Sequence, residues 1–411
     1  MTDASVYVVV GANGFLGSEI VRTLAGICRL STSSRKYRIV ALVRSAAAVN
    51  PRIVGLGPHV HIVEMDPVTK QRLVDLCTSA QYNSRVVGIF HVAGCHVTSR
   101  HPDDVAMMKE ANVDLCNQVF SFAAAFHIKV VYSSCSGVVG CQELVDRLRA
   151  AHDDDMPPRQ VIEAFPYLMQ KADVEEKWRQ EALKGRAPIV FLRPSALFGP
   201  GDERLKSTYV LYQLLTGAMK TTPPGGISFC DVRDCAKAFI TAMQTAEPGA
   251  AMNITACNLP FAEFVSIVES TIRVKGPRRQ LPASFHRLRA RVQSKLRDVL
   301  ELPKKYDLDP VAAEGRLRYW NVTCQRAKEV VDWDPREIEE TIMDTAQYLH
   351  HTFDLCEEER DLSHATALSM HTKGIQRRAK FILRAAPIGT VLHWAIVCLL
   401  FIVSMWYIIR I

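Results

Sequence analysis

The sequence has no Cys-x-x-Cys pair and no metal-ligand spacing, although it holds 12 cysteines in 411 residues. Cys230 and Cys235 stand five apart and Cys135 and Cys141 six apart, and neither spacing suits zinc. Scattered cysteines in a chain of this length point to a reducing compartment, with no metal site expected. Missing too is any basic run interleaved with aromatics, so nucleic acid is not an expected partner despite a net charge of +7. There is no internal repeat and no low-complexity tract. The N-terminal apolar run VYVVV is very short and lacks a basic flank and a cleavage-site pattern, so no signal peptide is expected. What remains is 48% hydrophobic and 23% charged, enough to build a substantial core.

Charge is absent from one further place. Residues 388–409, IGTVLHWAIVCLLFIVSMWYII, carry no formal charge except at His393 when protonated. As a helix this stretch would span about 33 Å, the thickness of a bilayer core. Trp394, Trp406 and Tyr407 stand toward its ends, and Lys373, Arg377, Arg378, Lys380 and Arg384 precede it. The expectation is a single-pass C-terminal anchor with the large domain on the cytosolic side, the endoplasmic reticulum being the expected membrane.

The first 200 residues alternate apolar strands with helical stretches. Strands are expected at 5–10, 37–43, 59–65, 86–92, 128–132 and 188–193, with helical candidates at 17–26 and 104–126. Several strands are continuous apolar runs, as in parallel sheets covered on both faces. The expected fold is α/β, a doubly wound parallel sheet. Later segments add strands at ISFCDV and AMNIT, each leading into a helix. In FHRLRARVQSKLRDVL, Phe285, Leu288, Val292, Leu296 and Val299 recur at helical spacing. That is an ordinary amphipathic helix or one that rests on a membrane.

Directly after the first strand stands GANGFLG, with Gly11, Gly14 and Gly17. In a strand–turn–helix unit these glycines allow a tight turn, close approach to a pyrophosphate, and close helix packing. The helix that starts at Phe15 and Leu16 would aim its free N–H groups at the phosphates. At the end of the second strand the chain reads ALVRS, with Arg44 where an acidic residue would bond a ribose 2′-hydroxyl. Arg44 favours NADP(H), with NAD(H) the alternative.

YLMQK supplies Tyr167 and Lys171, spaced i and i+4 and so on one helix face. A phenol is a poor acid/base at neutral pH, but a neighbouring ammonium and an oxidised nicotinamide would lower its pKa. Tyr167 could then exchange a proton with a substrate oxygen while nicotinamide exchanges hydride.

Taken in order, these motifs resemble the extended short-chain dehydrogenase/reductase family over roughly residues 5–350. The resemblance implies a Rossmann domain over 1–195, with some later segments returning to it, and a smaller substrate-binding lobe over 196–351. A polar and basic linker over 352–385 and an anchor over 386–411 would follow. GANGFLG, including Asn13, resembles the family's cofactor turn. MDP, with Asp66, resembles its adenine-contacting position, and FHVAG, with Ala93 and Gly94, the segment beneath the cofactor. EANVDLCNQV, with Asn112, is similar to its Asn-Val helix. FLRPSALFGPGD, with Pro194 and Ser195, is similar to the segment that meets the nicotinamide amide. Lys171 would also bond the nicotinamide ribose. VVYSSCSGVVG resembles the strand that ends in the catalytic serine, but the register puts Cys135 there. Cys135 would serve with weaker polarisation, or Ser134 or Ser136 would reach in after a local shift, or the activity is impaired.

Within the family the anchored architecture looks most like 3β-hydroxysteroid and sterol-4-carboxylate 3-dehydrogenases. That implies a lipophilic alcohol or ketone as substrate, a sterol foremost, and is compatible with a homodimer. The alternatives are a sugar-nucleotide epimerase or dehydratase on the same fold, and a non-catalytic nucleotide-binding scaffold or redox sensor.

Overall fold

The computed structural model describes residues 5–30, 37–79, 81–82, 86–140, 149–155, 159–299 and 309–355. Those before Asp298, and those from 309 to Asp354, belong to one compact unit. A second unit, Asp298–Leu302 with Leu355–Ile411, lies almost wholly outside the described residues, and with it the linker and anchor expected from the sequence. Among the described residues no helix is long and apolar enough to cross a membrane.

The strands are β1 Val6–Val10, β2 Arg38–Val43, β3 Val60–Glu64, β4 Val86–His91, β5 Lys129–Ser133, β6 Ile189–Pro194, β7 Ala196–Phe198, β8 Gly226–Asp231, β9 Ala251–Ile254 and β10 Cys257–Pro260. Seven form one sheet in the order β3-β2-β1-β4-β5-β6-β9, and every pairing in it is parallel. The order reverses between β1 and β4, which opens a crevice at the carboxyl ends of those strands. The other three make a small sheet, β10-β8-β7. β9 thus returns to the main sheet from well beyond residue 195.

The helices begin with α1 Phe15–Leu30, α2 Lys70–Thr78, α3 Pro102–Lys109, α4 Leu115–Phe126, α5 Arg159–Ile162 and α6 Pro166–Leu183. They continue with α7 Tyr209–Leu215, α8 Val232–Thr245, α9 Phe261–Ile272, α10 Ala283–Val299, α11 Pro310–Arg316, α12 Gln325–Val331 and α13 Ile338–Thr352. Strand alternation splits the core between the two sheet faces. Val9 joins Leu16, Ile20 and Phe239 on one side, whereas Val6, Val8 and Val10 join Phe120, Phe122 and Trp178 on the other. Asp231 and Asp234, at the start of α8, are structural. Asp231 caps α8 through the Arg233 N–H at 2.8 Å, and Asp234 pairs with Arg336 at 2.8 Å.

Two expectations change. The helix anticipated over 104–126 is divided between α3 and α4 by a π-turn at Glu110–Asp114, which carries the buried Asn112. On α10, Phe285, Leu288 and Val292 are 44%, 62% and 43% exposed, while His286 and Ala290 are buried. Those three side chains therefore face away from the unit, on a helix whose Arg287 pairs with Glu314 of α11 at 2.9 Å.

Candidate active site

The chain leaves β1 through Gly11, whose φ of 95° favours glycine. A Cβ there would stand 2.5 Å from the Ala93 nitrogen, so the turn is pressed onto the segment that follows β4. Gly14 N–H donates to the Gly11 carbonyl at 3.0 Å, and a Cβ on Gly17 would overlap that same oxygen. Gly14 is exposed, and the first turn of α1 holds no acidic residue. Leu16 is buried and Phe15 half-buried against the core, so at both positions the backbone N–H is the group left to serve a ligand. Asn13 does something the motif did not reveal. Its Nδ2 donates to the Ala48 carbonyl at 2.8 Å and its Oδ1 accepts from the Asn50 N–H at 2.5 Å. The side chain ties the turn to the loop after β2.

Arg44 lies exposed just beyond β2, and Asp66 lies exposed beyond β3. Between them stands a carboxylate that the sequence reading passed over. Glu64 pairs with Val43 across the strands and accepts from the Ala46 N–H at 2.7 Å. Arg52, likewise unforeseen, binds Glu19 of α1 at 2.6 Å and the Pro200 carbonyl, which joins this loop to the segment after β7.

Tyr167, Lys171 and Cys135 do come together. The phenol of Tyr167 lies beside the Cys135 thiol, and the Lys171 Nζ stands 5.9 Å from the centre of the Tyr167 ring. The Tyr167 ring packs on His96 at 4.5 Å between centroids. Lys171 is buried, and a Cβ placed on Gly94 would stand 3.5 Å from its Nζ. Gly11, Ala93, Gly94 and Lys171 therefore run continuously from the glycine turn to the acid/base pair. Asn112 fixes this run by holding Cys95 through both backbone groups, at 2.9 and 2.8 Å. Pro194 is buried at the end of β6, beside Ile254.

Burial raises the pKa of Tyr167 well above its ordinary value, and the thiols of Cys135, Cys116 and Cys95 add to the rise. The lowering expected from an oxidised nicotinamide would have to offset this burial. Burial also depresses the pKa of Lys171, opposed by Cys116, Cys135 and Glu175. The ammonium itself donates to the Tyr132 hydroxyl at 3.1 Å and the Ser133 carbonyl at 2.9 Å. Two of its three donors are thereby engaged behind the site. Burial likewise pushes the Cys135 thiol up.

Ser134 does not reach in. Its hydroxyl donates to Glu175, because its place on the strand turns it to the opposite face from Cys135. Ser136 is buried in the turn after β5, where its carbonyl accepts from Val139 and Gly140. Glu175 was within reach of sequence reasoning, since it stands i+4 from Lys171 on α6. Tyr132, Cys116 and His91 carried no such signal.

A dinucleotide fits the residues present. The glycine turn offers backbone N–H groups without an opposing carboxylate in the first turn of α1. The Ser195 hydroxyl, beside Pro194, is buried with no hydrogen-bond partner. A buried donor of this kind suits a polar group such as a nicotinamide amide.

The comparisons agree with this geometry. The model of the NAD dependent epimerase/dehydratase family matches residues 7–255. Among solved structures, a UDP-glucuronic acid 4-epimerase from Bacillus cereus in complex with UDP-glucuronic acid and NAD is similar, with a TM-score of 0.62 and 16% identity over 84% of this chain and 99% of that one. A dTDP-glucose 4,6-dehydratase from Bacillus anthracis in complex with NAD has a TM-score of 0.61 and 16% identity, covering 84% and 97% of the two chains. A nucleoside-diphosphate-sugar epimerase from Pseudomonas aeruginosa has a TM-score of 0.63 and 15% identity, covering 84% and 98%. No curated protein matches significantly in sequence. At these identities the solved structures speak for the fold alone, but the family model spans more than half of the chain, and the protein belongs to the NAD-dependent epimerase/dehydratase family.

Proposed function

We propose that the protein is a nicotinamide-dependent oxidoreductase acting on a lipophilic alcohol or ketone, a sterol or 3β-hydroxysteroid being the favoured class. The observation that carries it is the continuity from Gly11 through Ala93 and Gly94 to Lys171, Tyr167 and Cys135. A bound nicotinamide supplies the two-electron acceptor or donor. This chain's residues supply the proton chemistry. Tyr167 gives a proton to a carbonyl oxygen or takes one from a carbinol. Its raised pKa keeps it protonated, which suits the reductive direction. Oxidation would require Lys171 and a cationic ring to favour the phenolate. The Cys135 thiol offers the substrate oxygen a weaker donor than a hydroxyl.

An apolar substrate is favoured by what surrounds the pair. Cys135 and Tyr167 pack against the buried cluster of Val138, Val139, Phe165 and Leu168, with Trp320 beside Phe165. The exposed stripe of α10 and the uncharged segment 388–409 would suit a membrane-held enzyme reaching such a substrate. Arg44 favours NADP(H), with Glu64 close by as an opposing charge.

A second reading, epimerisation or dehydration of a sugar nucleotide, is favoured by the family itself. One experiment separates the two. The full chain is incubated in detergent with NAD⁺, NADP⁺ or their reduced forms, against a sterol and steroid panel and a UDP-sugar panel. Turnover of a steroid that is lost in Tyr167→Phe is the expected result. Turnover confined to UDP-sugars would establish the second reading. A steroid activity undiminished in Tyr167→Phe would overturn the mechanism.

A further inference from the structure

Behind Lys171 lies a run of buried polar side chains that the proton exchange at Tyr167 does not use. The Lys171 ammonium donates to the Tyr132 hydroxyl at 3.1 Å. The Cys116 thiol lies beside that hydroxyl, and Cys116 Sγ stands 3.2 Å from His91 Nε2. The three come from β5, α4 and β4, and all are wholly buried. Their rings are locked as well. His91 stacks on Tyr132 at 5.5 Å, and Phe120 meets both edge-on at 5.6 and 5.1 Å.

Donor chemistry gives the run a direction. Lysine only donates, so the Tyr132 oxygen accepts from it and turns its own proton to Cys116. The Cys116 proton then points to His91 Nε2, which leaves the imidazole proton on Nδ1. His91 Nδ1 is buried without a partner. An unsatisfied buried group is costly, so its presence needs a compensating reason. Burial and the Lys171 charge push the His91 pKa down to about 3, so the imidazole stays neutral beside the ammonium.

We infer that Tyr132, Cys116 and His91 form a positioning array that holds and orients the Lys171 ammonium, with Tyr132 as its direct phenolic partner. Its service to Tyr167 rests on the function proposed above, but the array can be tested without substrate or cofactor. The groups that face Lys171 are Tyr132 and Cys135 from β5 and the turn after it, Cys116 from α4, and His91 and His96 from β4 and its following segment. Tyr167 and Glu175 face it from its own helix. Because burial lowers the Lys171 pKa, the unfolded chain binds more protons between the folded value and about 10.4, and stability rises with pH across that window. Removing the Tyr132 hydroxyl makes the ammonium costlier still. The penalty is greatest where Lys171 is protonated and fades as it loses its proton. A purely structural hydrogen bond would show no such fading.

The test is thermal melting of the full chain between pH 6.5 and about 10.4, which spans the range below the ordinary lysine value. Tyr132→Phe should melt about 2–5 °C lower at the acid end, the deficit shrinking toward the alkaline end. In a Lys171→Met background the same substitution should have little effect. Cys116→Ser should follow wild type and Cys116→Ala should follow Tyr132→Phe, which tests the array even if one variant folds poorly. A deficit constant with pH and unchanged by Lys171→Met would overturn the inference, as would equal behaviour of the two Cys116 variants. NADH fluorescence of wild type, measured alongside, reports separately on the proposed function. A chain that shows the melting pattern but binds neither NADH nor NADPH would keep the array and lose the cofactor reading.

Discussion

Arg193 donates through Nε to Glu175 at 2.8 Å, with side chains only 2% and 5% exposed. The guanidinium also donates to the Asp153 carbonyl at 2.6 Å, and Glu175 receives the Ser134 hydroxyl. Strands β5 and β6, helix α6 and the 151–155 segment are thus joined beneath the site. Glu175→Ala strands a buried cation and should cost about 3–5 kcal/mol in urea unfolding. Glu175→Leu combined with Arg193→Met should recover most of it. A single substitution that leaves the midpoint unmoved would show that the pair does not hold these elements.

Two glycines of α1 make opposite predictions. A methyl at Gly17 would overlap the Gly11 carbonyl, whereas one at Gly26 meets nothing within 4 Å. Gly17→Ala should therefore abolish measurable NADH or NADPH binding by fluorescence. Gly26→Ala should bind normally and gain about 1 kcal/mol from helix propensity. Normal dinucleotide binding by Gly17→Ala would contradict the close packing of the turn.

Cys135→Ser replaces a weak donor with a stronger one beside the Tyr167 hydroxyl. With a steroid substrate, turnover should rise about threefold to tenfold, in keeping with one additional net hydrogen bond. Lost turnover would mean that the sulfur has a role of its own.

Cofactor choice should respond to two charges. Arg44→Ala should weaken NADPH binding more than NADH binding, because only NADPH carries the 2′-phosphate. Glu64→Gln should shift the preference the other way by removing a nearby carboxylate. Dissociation constants from fluorescence titration measure both, and equal losses for the two cofactors in Arg44→Ala would remove the case for NADPH.

His91 predicts the acid limb of stability. Its pKa is depressed to about 3 in the folded chain, against about 6.5 when unfolded. Below pH 6.5 the unfolded chain binds a proton that the folded chain refuses, so stability falls from there toward pH 3. His91→Phe keeps an aromatic ring between Phe120 and Tyr132 and should flatten that slope in chemical denaturation. An unchanged slope would place the acid sensitivity elsewhere.

Much of the site was legible because its signals are local. A turn needs glycines at fixed offsets, and a helix brings residues four apart together. Gly11, Gly14, Gly17, Tyr167 and Lys171 were found on those grounds alone. The side-chain partners of Asn13, Ala48 and Asn50, were not legible because they lie about 35 residues away on the loop after β2. Ser134 stayed ambiguous until Glu175 was seen to hold it. The desolvation that raises the Tyr167 pKa was not visible in the spacing, whereas the charge pairing with Lys171 was. On α10, periodicity identified the helix but not the face it buries, which carries His286 and Ala290.

The sequence by itself determined the strand–helix alternation, the phosphate-type turn and the Tyr–Lys pair, because each follows from backbone geometry over a few residues. Only the tertiary structure decided what stands behind that pair. Tyr132, Cys116 and His91 meet Lys171 from β5, α4 and β4, which the parallel sheet brings side by side. Burial there sets both pKa directions, because the cost of a charge depends on the solvent that packing excludes.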